Sequence, residues 1–402
     1  MDTVMKKTIR LIFAAFAILG AFSSCYKQDD VYKEFIKIGG YVYPAKAVNL
    51  SATAGHSRVV LSWEKPMDPA VKTAVVYWDN YTDSIALDYV DFPDGKVAVN
   101  ISELEDRSYT FDVVNFDFNG NKSLAAELTV SAYGDSWLVT HSERVLHTAE
   151  MVGDNAHITM SKSTDEMVAT QFRYINANGD WVVYEKYMQP GETEIDLPNA
   201  LRGKKFEYRS GYCPKSGLDT VFTTSWVRSA RGIFYDLDTG SWKVTVTADQ
   251  INGSFTPEKI FDGVTDQPAN RWHSSTNTTI RKNFPKVLAI DTGSASGMEP
   301  ALCGYTFWEH PESQSYRYAK TCFFYVGDEP FDPDDANFQL TYEDNLVAKV
   351  SLARTDAVQT GRFPQANAGR YIAIAFIDSY NTNGYIDLWE FAPRGYIEGE
   401  SE

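Results

Sequence analysis

The sequence predicts an all-β protein of several domains, and three observations carry that reading. Apolar residues recur at every second position in short runs broken by turn residues, and no long stretch keeps a helical period. Aromatic side chains make up 14% of the chain, a composition that suits pleated, half-buried surfaces. The length of 402 residues implies roughly two to four cores at typical domain sizes. Hydrophobic residues at 44% and charged residues at 23% fit a folded chain. Acidic side chains number 54 against 37 basic ones, a net charge of −17. That balance argues against a nucleic-acid partner, which wants a basic stripe, and against drawing the folded surface onto anionic lipid. Four cysteines do not make a disulfide scaffold.

Residues 1–24 read as an address. Lys6, Lys7 and Arg10 form a positive start, and residues 11–22 are apolar throughout. The apolar run is shorter than the roughly 20 residues a spanning helix needs. Ala21-Phe22-Ser23-Ser24-Cys25 follows, and the whole resembles a bacterial lipoprotein signal peptide, although Phe22 stands where Leu is usual. The resemblance implies cleavage before Cys25, which becomes the lipid-bearing residue of a tether over 25–44. Tyr26-Lys27-Gln28-Asp29-Asp30 is similar to the acidic export tag of lipoproteins of Bacteroidota that reach the outer face of the cell. The implied location is the outer membrane, facing the exterior, with lipid as the only membrane contact.

Residues 45–132 come next. Arg58-Val59-Val60-Leu61-Ser62-Trp63 alternates and stops at Pro66, and Thr73-Ala74-Val75-Val76-Tyr77-Trp78 forms a second strand before the turn Asp79-Asn80. Leu104, four residues and then Tyr109 lead a strand over 109–114 into Asn119-Gly120-Asn121. Trp63, the later tyrosine strand and Leu-x4-Tyr resemble an immunoglobulin-like fibronectin type III sandwich with its tyrosine corner. A shift of 97 residues places Tyr77 on Tyr174, Leu104 on Leu201, Tyr109 on Phe206 and Phe111 on Tyr208. Asn178-Gly179-Asp180 supplies a hairpin turn. Residues 133–231 therefore read as a second, divergent sandwich, with Phe206 in place of the corner tyrosine and no counterpart of Trp63. Tyr32-Lys33-Glu34-Phe35, Tyr43-Pro44, Gly55-His56-Ser57-Arg58-Val59 and Val76-Tyr77-Trp78-Asp79 also resemble an uncharacterised N-terminal region of Bacteroidota surface lipoproteins. The aromatics of both repeats read as core, and His56 and His157 as solvated or hydrogen-bonded histidines.

Residues 232–402 carry the functional signal. Lys259-Ile260-Phe261-Asp262-Gly263 is followed by Arg271-Trp272-His273-Ser274 and by Phe284-Pro285-Lys286-Val287-Leu288-Ala289-Ile290-Asp291-Thr292-Gly293. Gly369-Arg370-Tyr371-Ile372-Ala373-Ile374 and Ile386-Asp387-Leu388-Trp389-Glu390-Phe391 close the series. These five elements, in this order, resemble a discoidin domain, the galactose-binding-like jelly roll of coagulation factors that is also carbohydrate-binding module family 32. The resemblance implies a structural calcium held by the Lys259 carbonyl, the Asp262 carboxylate, Asn270 where Thr is usual, the Trp389 carbonyl and the Glu390 carboxylate. Calcium takes six to eight hard oxygens, which such a set begins to supply. Without the metal, Asp262 simply caps a turn and Glu390 pairs with a base.

The resemblance also implies a sugar site on three loops, 265–270, 308–317 and 379–383. Trp308 or Tyr380 offers a stacking face, while His310, Arg317 and Asn383 read hydroxyl positions. The same aromatics and Arg317 also serve as ordinary packing. Cys303 and Cys322 sit on neighbouring predicted strands and either bridge or stay as thiols, and Cys213 has no evident partner. No phosphate-binding loop, Cys-x-x-Cys pair, zinc-protease motif or nucleophile elbow occurs. The sequence thus points to a non-catalytic surface lipoprotein that binds glycan as part of a polysaccharide-capture system, beside other outer-membrane uptake proteins. The alternatives are a protein-binding adhesion lipoprotein and a structural accessory subunit without ligand.

Overall fold

The computed structural model describes residues 43–402, apart from 248–249, 268, 281–282 and 310–317. Strand accounts for 49% of the chain and helix for 7%, and every strand pairing within the sheets is antiparallel, so the all-β expectation holds. The chain divides into two compact units, Met1–Gly134 and Asp135–Glu402.

The first unit holds β1 (Val48–Gly55), β2 (Arg58–Glu64), β3 (Val71–Trp78), β4 (Asp83–Asp88), β5 (Lys96–Ser102), β6 (Ser108–Asp117) and β7 (Ala126–Ser131). They form sheets of order β1-β2-β5 and β4-β3-β6-β7. Alternation puts Val59, Leu61 and Trp63 of β2 against Ala74 and Val76 of β3 and against Tyr109, Phe111 and Val113 of β6. Burying an indole requires a partner for its N–H. Trp63 donates to the Tyr89 hydroxyl at 2.9 Å, which donates to Asn115 Oδ1 at 2.8 Å, and Asn115 donates to the Ala45 carbonyl at 2.8 Å. The Tyr109 hydroxyl accepts the Glu105 N–H at 2.9 Å and so pins the loop that enters β6.

The second unit begins with β8 (Leu146–Val152), β9 (Asn155–Met160), β10 (Met167–Ile175), β11 (Trp181–Tyr187), β12 (Glu194–Leu197), β13 (Glu207–Tyr212), β14 (Val221–Phe222) and β15 (Val227–Arg228). One sheet runs β12-β9-β8 and the other β11-β10-β13-β14, with β15 also paired to β13. Ile158, Met160, Phe172, Tyr174, Leu197, Phe206 and Tyr208 fill the space between. Phe206 and Tyr208 point inward as Tyr109 and Phe111 do, so the shift of 97 residues holds for that strand. It fails one strand earlier. Tyr174 lies in the core, whereas Tyr77 lies on the face away from Val76 with its ring 4.7 Å from that of Tyr81. A slip by an odd number of residues inverts a strand's faces, and the two repeats differ by such a slip here.

The same unit continues through β16 (Tyr235–Asp236), β17 (Lys243–Thr245), β18 (Trp272–His273), β19 (Lys286–Asp291), β20 (Pro300–Trp308), β21 (Ala319–Gly327), β22 (Leu346–Ser351), β23 (Gln359–Ala368), β24 (Tyr371–Ser379), β25 (Asp387–Leu388) and β26 (Glu390–Ile397). Sheets of order β16-β26-β20-β23 and β17-β19-β24-β21-β22 enclose a core of Leu302, Tyr305, Phe307, Phe324, Ile374, Phe376 and Phe391. β24 is a central strand covered on both faces, because Phe331, Phe338 and Tyr342 pack over Ala373 and Ala375. Its near-continuous apolar run is what such burial requires. Cys303 and Cys322 are buried thiols, so of the two readings of this pair the bridge falls away. Within this unit Glu150 of β8 is held by Arg362 and by Arg394, the latter at 2.9 Å, which ties the sandwich to the roll that follows it.

Candidate functional site

Gln267, Trp308 and Tyr380 mark the described parts of the predicted loops in the C-terminal roll. β18 pairs with β25 through Trp272 with Leu388 and His273 with Asp387. Trp389, between β25 and β26, donates its indole N–H to the Gln267 carbonyl at 3.2 Å and its backbone N–H to the Trp308 carbonyl at 3.0 Å. The Tyr380 N–H donates to the Tyr318 carbonyl at 2.9 Å. Trp389 thereby holds Gln267 and Trp308 together, and Tyr380 is held to Tyr318.

Trp308 is the last residue of β20, half-buried, opposite Glu390. Tyr380 is half-buried too, and its hydroxyl donates to the Leu352 carbonyl at 3.0 Å, so that oxygen is already engaged. Asn383 is exposed in a turn closed by its own N–H on Asn381 Oδ1 at 2.7 Å. His310 and Arg317 lie outside the described residues, as does Cys25.

The residues expected to hold calcium meet on the neighbouring loop. Asp262 ends a short 3-10 turn, Pro257–Phe261, and accepts the Val264 N–H at 3.0 Å. The Asn270 amide lies 2.8 and 2.7 Å from its two carboxylate oxygens. Gly263, whose φ of 73° suits a residue without a Cβ, donates its N–H to Glu390 at 3.2 Å. Burial pushes the Glu390 carboxyl up to about 8, and the Asp262 charge adds to this. Lys259 stands in the same turn with Nζ on the Ala269 carbonyl at 3.1 Å. Among the described residues no group of three or more His, Cys, Asp or Glu converges.

Sequence reasoning missed the charges behind these loops. Asp387 lies 3.5 Å from Arg271 Nε and 3.3 Å from His273 Nε2, with Asp387 and His273 buried and Arg271 partly so. Glu309, next to Trp308, is 2% exposed, and neither carboxylate oxygen has a hydrogen-bond partner. Burial first, and the Asp387 charge second, raise its pKa well above the usual carboxylate range. Burial thus favours its uncharged form. No periodicity announces it, because Trp308-Glu309-His310-Pro311 reads as part of a sugar-binding loop.

Residues 25–221 match a family profile, DUF4998, described as a domain of unknown function. No curated protein matches the chain. Among the described residues no helix is long and apolar enough to cross a membrane. Solved structures similar to the chain include the C-terminal domain of a chitobiase from Bacteroides fragilis, 16% identical over 40% of this chain and 97% of that one, with a TM-score of 0.31. The family 32 carbohydrate-binding module of NanJ from Clostridium perfringens, solved with galactose, is 15% identical over 40% of this chain and 99% of that one, with a TM-score of 0.31. A SusE-like protein is 10% identical over 87% of this chain and 96% of that one, with a TM-score of 0.33.

Proposed function

We propose that the C-terminal roll captures glycan without converting it, on a lipoprotein tethered through Cys25 to the outer face of the outer membrane and serving polysaccharide uptake. The observation that supports this reading is that Trp389 bonds Gln267 and Trp308, from two of the predicted loops, while Tyr380 of the third bonds Tyr318. A pyranose presents an apolar C–H face and a ring of hydroxyls, so its receptor needs an aromatic face beside amides and cations. Trp308 is the stacking face, the exposed Asn383 amide reads hydroxyls, and His310 and Arg317 act from the adjoining loop. Tyr380 contributes its ring, since its hydroxyl is bound to Leu352. Glu309 is buried and so out of reach of a bound sugar.

Calcium belongs to the same proposal. Two carboxylates, an amide and the Lys259 and Trp389 carbonyls are hard oxygen donors, the chemistry this ion takes. A buried carboxyl raised to about 8 is one that a cation would ionise. The ion would tie the loop after Asp262 to β26 and so fix one wall of the site. Millimolar calcium is expected to raise the melting temperature by a few degrees, and Glu390→Gln to abolish that rise. An equal rise in the variant would remove calcium from this place.

The test of function is calorimetric titration of the full chain with neutral plant and host polysaccharides. Saturable binding that Trp308→Ala abolishes, at unchanged melting temperature, is the expected result. Silence across a broad panel would overturn the reading and favour a protein partner.

A further inference from the structure

β11 is the edge of its sheet, and its outward positions carry Trp181, Val183, Glu185 and Tyr187. Trp181 keeps 60% of its surface exposed and Tyr187 63%. Beside Trp181 opens a cleft of about 420 Å³, bounded by Arg173 and Ile175 of β10, Lys205, Glu207 and Arg228 of β15. Arg173 pairs with Glu207 through Nε at 2.7 Å and lies 5.0 Å from the Trp226 ring. The other two cations converge on one carboxylate: Lys205 Nζ and Arg228 Nη2 each stand 2.5 Å from a different oxygen of Glu402.

The three parts of this arrangement differ in how firmly they are fixed. The Lys205 side chain is 14% exposed, so its charge is largely preset in the wall, whereas the Glu402 side chain is 63% exposed. The backbone around Glu402 is held by separate bonds. Lys205 donates its N–H to the Ser401 carbonyl at 2.8 Å, and Lys204 Nζ reaches the carbonyls of Glu400 and Glu402. The Glu402 carboxylate can therefore swing out while the segment stays. Without it the cleft holds Arg173, Lys205 and Arg228 against Glu207 alone, a cationic pocket in a chain of net charge −17.

We propose that this cleft binds a carboxylate-bearing sugar, a uronic acid unit of a polysaccharide, with its ring against Trp181 and its carboxylate between Lys205 and Arg228 in the place Glu402 fills. The exposed indole supplies the face that C–H groups stack on. Two cations, each taking one oxygen, supply the charge-assisted bonds that a planar carboxylate makes. Charge complementarity selects an anionic over a neutral chain, and Glu402 acts as an internal competitor. The site stands on its own residues and is separate from the Trp308 loops.

The test titrates the full chain with tetragalacturonate, tetraglucuronate and the methyl-esterified form of each, at low and high salt. At least one acid should bind, the corresponding ester should bind about tenfold more weakly, and salt should weaken the acid. Glu402→Gln should tighten acid binding several-fold. Trp181→Ala and Lys205→Met should each weaken it about tenfold at unchanged melting temperature, with Trp181→Phe retaining most of it. Equal binding of acid and ester, no acid binding by the Glu402→Gln chain, or acid binding indifferent to Trp181→Ala would overturn the proposal. Loss of neutral-glycan binding in Trp308→Ala, with acid binding intact, would separate this site from the one on the roll.

Discussion

The two sandwiches use the same edge strand for different ends. β4 lies beside β3 as β11 lies beside β10, each through an antiparallel ladder that directs one phase of the edge inward. In the first sandwich Ile85 and Leu87 face the core, and in the second Val182 and Tyr184 do. The outward phases differ in their large side chains. β4 shows solvent Ser84, Ala86 and Asp88, whereas β11 shows Trp181, Val183, Glu185 and Tyr187. Large exposed aromatics contribute little to folding, and a spacer has no need of them. The inward chemistry tells how each sandwich is held together, and the outward chemistry separates a plain wall from a surface that can receive a ligand.

If that division is right, inward substitutions cost alike in both sandwiches. Phe111 and Phe172 are both fully buried and pack on neighbouring rings, Phe111 against Tyr109 and Phe172 against Phe206 and Tyr208. Replacing either with Ala should destabilise its unit by about 3–5 kcal/mol, read by urea unfolding. A cost confined to one of them would break the comparison at its base.

Buried charge sharpens it. Arg144 of the second sandwich is fully buried, but it donates to the Ser161 and Glu192 carbonyls and to Thr170. Glu309 of the roll has no such partners. Its pKa is raised from an ordinary value of 4.5, so above that pH the unfolded state has released a proton that the native state keeps. Stability must then fall as pH rises from 4.5 toward the folded value, by at most about 1.4 kcal/mol per pH unit for this group. Glu309→Gln should flatten that decline in denaturation measured between pH 5 and 8. An unchanged slope would show that Glu309 ionises freely.

A smaller effect is expected at the corner positions. The Tyr109 hydroxyl accepts the Glu105 N–H, and Arg107 lies 3.9 Å from its ring. Tyr109→Phe should cost about 0.5–1.5 kcal/mol, the worth of one such bond. The second sandwich has Phe206 there and satisfies the Phe206 N–H with the Ser229 hydroxyl at 3.0 Å instead. Phe206→Tyr should therefore bring no gain, and a gain would mean the two corners are alike after all.

Much of the fold was legible because alternation and turn residues act locally. β2, β6 and the β10–β11 hairpin follow from Val-Val-Leu-Ser-Trp, Leu-x4-Tyr and Asn-Gly-Asp as written. Register between repeats was not legible, because a slip leaves composition intact while turning Tyr77 out and Tyr174 in. In the roll, Asp262, Asn270 and Glu390 do come together, whereas the isolation of Glu309 depends on strands distant in sequence and leaves no local mark. The Trp181 face did leave a signal. Glu185 shares its phase, and a strand glutamate belongs at the surface, so its phase mates are expected to be exposed with it.

That signal leads to the smallest predicted effect, which also discriminates most sharply. Trp78 and Trp181 stand at the ends of β3 and β11, and composition alone treats them alike. Trp78 packs against the first core with its ring 6.1 Å from Phe111, so Trp78→Ser should cost about 1–3 kcal/mol in the stability of its unit. Trp181 contacts solvent over most of its surface, and Trp181→Ser should stay within about 0.5 kcal/mol of the parent chain. Parallel urea titrations of the two variants decide the matter. A large loss at Trp181 would make it a structural residue and return the second sandwich to the role of a plain wall. A loss at Trp78 alone leaves an exposed indole that folding does not require, which is the condition a binding surface must meet.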